Sequence, residues 1–320
     1  SMKISSYWLK IIVLLVLCAL FSTLYLTYNT YGNFAFAFAL RGKKILAFIL
    51  VALATSVSTI SFQTLTRNQF LTPGILGLDN FYILIQTLLF FLIGGVTMLS
   101  QESIWMFLAN ILLMSLFSVL FFVECMEKAT GNLFLLLMVG MVAGTLFSSL
   151  STFLQVLMDP NEYDLLQGRL FASFGNVNHQ HLLLSTVIIL LATFHLWRVS
   201  PELNILLLGI DPAKNLGINI HLFQKKTLFS IVILTGTATA LVGPTIFLGF
   251  IVATISYRLF YTYRHQQLFL GSFLIGVLLL ISGQFLVEQV FQWKTTISVV
   301  IQFSGGIFFV GKIIAERKQT

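Results

Sequence analysis

The sequence predicts an all-α polytopic membrane protein, with about ten transmembrane helices and two short helices between the sixth and seventh of them. Three observations carry this. The 320 residues are 58% hydrophobic and only 9% charged, against about 25% charged in an ordinary soluble domain. Apolar runs recur at about 10–28, 43–64, 80–99, 103–123, 132–157, 180–198, 226–242, 245–260, 268–288 and 296–314. The stretch 200–220 carries two helix starts and two stops, in pieces too short for the roughly 20 apolar residues that a crossing takes.

Each run is read as a helix because backbone groups in lipid must be satisfied internally. Strands of a barrel would be about 10 residues long and strictly alternating, and these runs do not alternate. The run at 245–260 is short enough for a partial or broken helix. Polar stretches are short loops, so 1–320 reads as a single transmembrane domain. Ser1 ahead of Met2 reads as an expression scar, and the first run, without a small-residue cleavage site, as a retained span.

The net charge of +7 is explained by its distribution rather than by nucleic acid. With the N-terminus inside, thirteen Lys and Arg fall on inner segments and five on outer ones. That favours cytoplasmic N and C termini. Arg41, Lys43 and Lys44 oppose the bias, on the outer side. Cys18 and Cys125 lack metal-type spacing and read as inert apolar thiols.

Between Arg198 and Lys225-Lys226 lies SPELNILLLGIDPAKNLGINI. Ser200 suits an N-cap, Pro201 the first helical position and Glu202 the first turn. Gly209 supplies a stop. Asp211 and Pro212 repeat the start, and Gly217 the stop. The expectation is two short helices with a sharp bend, on the cytoplasmic side, suited to receive a push from another protein.

This stretch resembles the cytoplasmic coupling helices of the ABC-importer permeases for ferric siderophores, haem and vitamin B12. Leu203, Asn204, Leu206, Leu208, Gly209, Ala213, Leu216 and Gly217 match that family's pattern. A second match runs from 41 to 77, where Arg41, Gln63, Arg67, Asn68, Leu71, Pro73, Leu76 and Gly77 are kept and Lys44 replaces an Arg. A third, at 240–258, keeps Gly243, Pro244, Phe247, Gly249 and Arg258, with Ala253-Thr254 in place of a Pro-His pair. A weaker fourth is LLQGRLFASFGNVNHQ, with Arg169 and Ala172 as departures.

The resemblance implies a permease subunit in a bacterial cytoplasmic membrane, most simply for a ferric siderophore. It implies a second permease, identical or paralogous, two cytoplasmic ATPase subunits and an external substrate-binding protein. Residues 203–217 would couple to the ATPase. Arg41 and Lys44 would dock the binding protein from an exposed rim. Thr130, Gly131 and Asn132 would occupy the position of a cytoplasmic gate.

No catalytic group, cofactor or metal is expected. Gly306-IFFV-Gly311-Lys312 mimics a phosphate loop, but Ile313 stands where Ser or Thr is required. Gly140 and Gly144 form a GxxxG that is either a packing face or chance. His179, His181, His195, His221 and His265 lie in loops or at span ends. The run centres carry essentially no ionisable residues, which counts against the alternative, an ion-coupled secondary transporter of a small solute.

Overall fold

The computed structural model describes residues 2–100, 104–128, 133–170, 179–295 and 297–319, and every regular element among them is helical. The order is α1 (Met2–Thr27), α2 (Phe34–Thr66), a 3₁₀ turn at Pro73–Leu76, α3 (Leu78–Ile93), α4 (Gly95–Ser100), α5 (Ile104–Lys128) and α6 (Leu133–Leu157). Then come α7 (Pro160–Leu170), α8 (His179–Arg198), α9 (Ser200–Leu206), α10 (Ile210–Asn215) and α11 (Ile220–Val242). The chain closes with α12 (Leu248–Phe260), α13 (His265–Phe285), a π turn at Leu286–Val290, and α14 (Ile297–Arg317).

Among the described residues, eight helices are long and apolar enough to cross a membrane, and α3 and α12 are shorter apolar helices. These ten correspond to the ten apolar runs. One run differs from its expected form: 80–99 is broken at Gly94, whose φ of +97° ends α3 before α4 begins. A second difference lies in α2, which starts at Phe34, capped by the Asn33 side chain accepting from Phe36 N–H. The basic cluster at 41–44 is therefore helical, because FAFAFAL ahead of it extends the helix instead of forming a loop.

The bundle is built around α2. From Ala47 to Thr66 nearly every residue of it is buried, Ser56, Ser58, Ser61 and Thr64 included. A helix buried on all faces belongs in a core, and α13, α11, α8, α12 and α1 surround it. Small residues set the spacing, as they do where helices pack by van der Waals contact in lipid. At Gly276 of α13, a Cβ would stand 3.1 Å from the Ala52 Cβ. On the lipid side, α1, α5, α6, α8 and α14 expose leucines, valines and phenylalanines.

The GxxxG of α6 is a packing face. Gly77, at φ +82°, lies against it, and a Cβ there would meet Gly144 Cα at 3.4 Å and Gly140 O at 3.5 Å. Lys312 is a buried residue of α14, its Nζ 4.8 Å from the Phe70 ring centre and 5.4 Å from that of Phe250. This cation–π placement is no phosphate-loop geometry. Outside the predicted runs, α7 closes over the α3–α4 break: Leu166 packs with Phe90 and Met98, and the Glu162 carboxylate accepts from Gly95 N–H at 2.5 Å.

Candidate functional site

The stretch 200–217 folds as two short helices with a bend at Gly209. Its start differs from the expected one. Val199 takes the N-cap position, and the Ser200 hydroxyl donates back to the Trp197 carbonyl at 2.7 Å. The Trp197 carbonyl lies at the end of α8 and lacks a helical partner there, so the hydroxyl is drawn backward. Pro201 stands in the first turn of α9 as expected.

Gly209 has φ +115° and ψ 170°, a region essentially restricted to glycine. Its N–H donates to Leu206 O at 3.0 Å, closing α9, and its carbonyl accepts from Ala213 N–H at 3.4 Å, opening α10. Gly217, at φ +91°, ends α10, and Ile218 N–H reaches back to Ala213 O at 3.2 Å.

The side chains of this elbow divide sharply. Leu203, Leu206 and Ala213 are buried against the bundle. Leu208 and Leu216 point away from it, 70% and 64% exposed. Leu208 lies in the turn after α9 and Leu216 at the C-cap of α10, two exposed leucines that a protein partner can cover. The buried positions fix the elbow, the glycine sets its angle, and the exposed leucines are what it offers.

Asn204 faces inward. Its Oδ1 accepts the backbone N–H of His265 at 2.8 Å and lies 2.6 Å from the His265 Nδ1. The other ring nitrogen, Nε2, lies 2.6 Å from Thr64 Oγ1. His265 opens α13 and Thr64 lies in the last turn of α2, so one buried imidazole joins the elbow to two core helices. Arg67, which ends α2 in a left-handed conformation at φ 49°, has Nη1 3.5 Å from where a Gly209 Cβ would stand. Sequence reading placed His265 only at a span end. Asn204 and His265 are 61 residues apart, and no periodicity links them.

Arg41 and Lys44 do not form an exposed rim; the fold buries both. Arg41 Nη1 donates to the Tyr25 and Tyr28 carbonyls at 3.0 and 2.6 Å, and Nη2 to the Asn29 carbonyl at 3.0 Å. The guanidinium thus caps the end of α1, where helix carbonyls lack intrahelical donors. Lys44 Nζ lies 2.5 Å from Glu288 Oε1 and 4.7 Å from the Trp293 ring centre. The same carboxylate accepts from Tyr25 Oη–H at 3.1 Å and from Gln284 Nε2–H at 3.4 Å. Lys43, between them, is exposed. The signal for this pairing was a basic cluster and an acid on the same side, at the ends of two apolar runs.

A cavity of about 300 Å³ opens beside α2 within two to three turns of its elbow end, lined in part by Thr55, Ser58, Thr59, Asp79, Thr239 and Phe250. It lies where α2 passes into α3 through the 3₁₀ turn and α11 into α12 through Gly243-Pro244. Thr130, Gly131 and Asn132 lie outside the described residues.

A bundle of membrane-length helices with a short, leucine-bearing elbow anchored on its central helix has the form of a membrane transport subunit. The chain belongs to the FecCD transport family, whose profile matches residues 7–315. It is 43% identical over 311 residues to the petrobactin import system permease protein YclO of Bacillus subtilis, covering 97% of this chain and 98% of that one. It is 34% identical over 316 residues to the petrobactin import system permease protein FatC of Bacillus anthracis, covering 97% and 89%. Its fold is similar to that of a solved metal-chelate type ABC transporter in an inward-facing conformation, with TM-score 0.83 and 23% identity, covering 96% of this chain and 99% of that one.

Proposed function

We propose that this chain is the membrane-spanning permease subunit of an ATP-driven importer that carries a ferric siderophore inward, with petrobactin the first to test. The observation that carries this is the elbow: two exposed leucines on a glycine-set bend, fixed to the central helix. The names of its full-length relatives support the cargo class. The whole of 1–320 works as one permease domain beside a second permease, identical or paralogous. Two ATPase subunits take the elbows, and an external binding protein delivers cargo. The membrane is the bacterial cytoplasmic membrane.

In this reading the chain makes and breaks no covalent bond. ATP binding and hydrolysis in the neighbouring subunits move the elbow, and the bundle answers by opening alternately to each side. Docking of the binding protein falls to exposed outer groups such as Lys43, while Arg41 and Lys44 fix the shape of the segment that presents them.

Two measurements test the reading. Purified with its neighbours, the chain should bring down an ATPase subunit. In cells lacking their own petrobactin permease it should restore uptake of radiolabelled ferric petrobactin that depends on ATP. Uptake driven by an ion gradient, with no ATPase associated, would instead establish the secondary-transporter reading.

The charge distribution also supports a topology with both termini cytoplasmic. Cysteines placed at the exposed positions Asn215 and Asp159 should label from opposite sides, position 215 from the cytoplasm and 159 from outside. The reverse pattern overturns the orientation.

A further inference from the structure

The bonds around His265 fix their own directions. Asn204 Oδ1 already accepts the His265 backbone N–H, so the amide cannot be turned to put its NH₂ there. Oδ1 carries no proton, and Nδ1 of the ring must therefore donate to it. A neutral imidazole then has Nε2 as its acceptor, and the Thr64 hydroxyl donates to that nitrogen. Among the described residues no carboxylate pairs with the ring. The chain of donors runs in one direction, from Thr64 of α2 through His265 of α13 to Asn204 of the elbow.

Beside the Ser200 hydroxyl's bond back to α8, the elbow's other described anchors are apolar. Leu203, Leu206 and Ala213 gain from burial, but burial is not directional, and such contacts let one helix slide on another. The His265 bonds are directional, and breaking them would leave polar groups of the buried His265 and Thr64 side chains unpaired. The ring is 1% exposed.

The geometry points to His265 as the positioning residue through which displacement of the elbow is passed to α2 and α13, so that the three move as one body. Toward their far ends the same two helices are joined by Lys44, about three turns inside α2, and Glu288 in the π turn that follows α13. Between those ends the Gly276–Ala52 contact leaves little room for slippage. A push received at Leu208 and Leu216 therefore has a fastened pair of helices on which to act. This inference rests on the permease reading above.

The test uses the complete transporter, purified with its ATPase subunits and reconstituted in proteoliposomes. The readout is the ratio of ATP hydrolysis with loaded binding protein to basal hydrolysis. Thr64→Val keeps the shape of the side chain and removes the donor to Nε2; His265→Leu removes both ring bonds. Each should lower the ratio by about tenfold, within the usual range of coupling between sites, with basal hydrolysis and the amount of bound ATPase unchanged. Asn204→Asp, which keeps the acceptor oxygen, should retain the ratio, whereas Asn204→Leu should lose it. If His265→Leu fails to assemble, Thr64→Val decides alone. A wild-type ratio in an assembled Thr64→Val complex overturns the role of His265. Absence of any ATPase subunit from the wild-type preparation would instead remove the permease reading itself.

Discussion

Gly209→Val should insert and fold but lose the stimulation of ATP hydrolysis by loaded binding protein. The reason is conformational. At φ +115° and ψ 170°, a residue with a Cβ is strained by about 1–3 kcal/mol, and a β-branched one most severely. The space itself is adequate, since a Cβ would meet Arg67 Nη1 at 3.5 Å and Pro212 Cδ at 3.6 Å, ordinary contact distances. Relief of the strain must turn α10 relative to α9, and Leu216 then shifts relative to Leu208. Because backbone strain decides the outcome, Gly209→Ala should also lose most of the stimulation despite its small size. Stimulation equal to wild type in Gly209→Val proteoliposomes would show that the bend angle does not matter.

Glu288→Gln should cost about 3–5 kcal/mol of stability, the usual consequence of leaving a buried charge without its partner. The variant keeps the size of the side chain and leaves the Lys44 ammonium, its side chain 6% exposed, facing a neutral amide. The paired change Lys44→Met with Glu288→Gln removes both charges together, keeps an amide oxygen to accept from the Tyr25 hydroxyl, and should be far milder. Thermal unfolding in detergent measures both. The result also separates two accounts of the basic cluster. Arg41→Glu with Lys44→Glu should now damage folding, since it uncaps α1 and sets carboxylate against carboxylate. If that variant instead melts like wild type and only slows uptake in a salt-dependent way, the residues serve docking after all.

The spans were legible because lipid makes a strong demand: a run of apolar residues has few other fates. The elbow was legible because glycine and proline punctuate short helices, and Gly209 and Gly217 do take positive φ as their positions implied. Capping was less secure. Ser200 had the right chemistry for an N-cap, but a free carbonyl one turn back claimed its hydroxyl. The Arg41–Lys44 expectation failed on exposure for a similar reason. Charges near a span end can face water or turn inward, and the choice depends on acceptors from α1 and from residue 288, which no local pattern brings near. His265 escaped notice on the same ground, since its partners lie on two other helices.

The Lys44–Glu288 pair also constrains the order in which the chain can be completed. The partners are 244 residues apart, which at translation rates of 5–20 residues per second separates their synthesis by about 10–50 s. During that interval the central helix is already made, yet its lysine has no counter-ion and must keep its ammonium at the head groups. The carboxylate arrives only after α13 has been threaded.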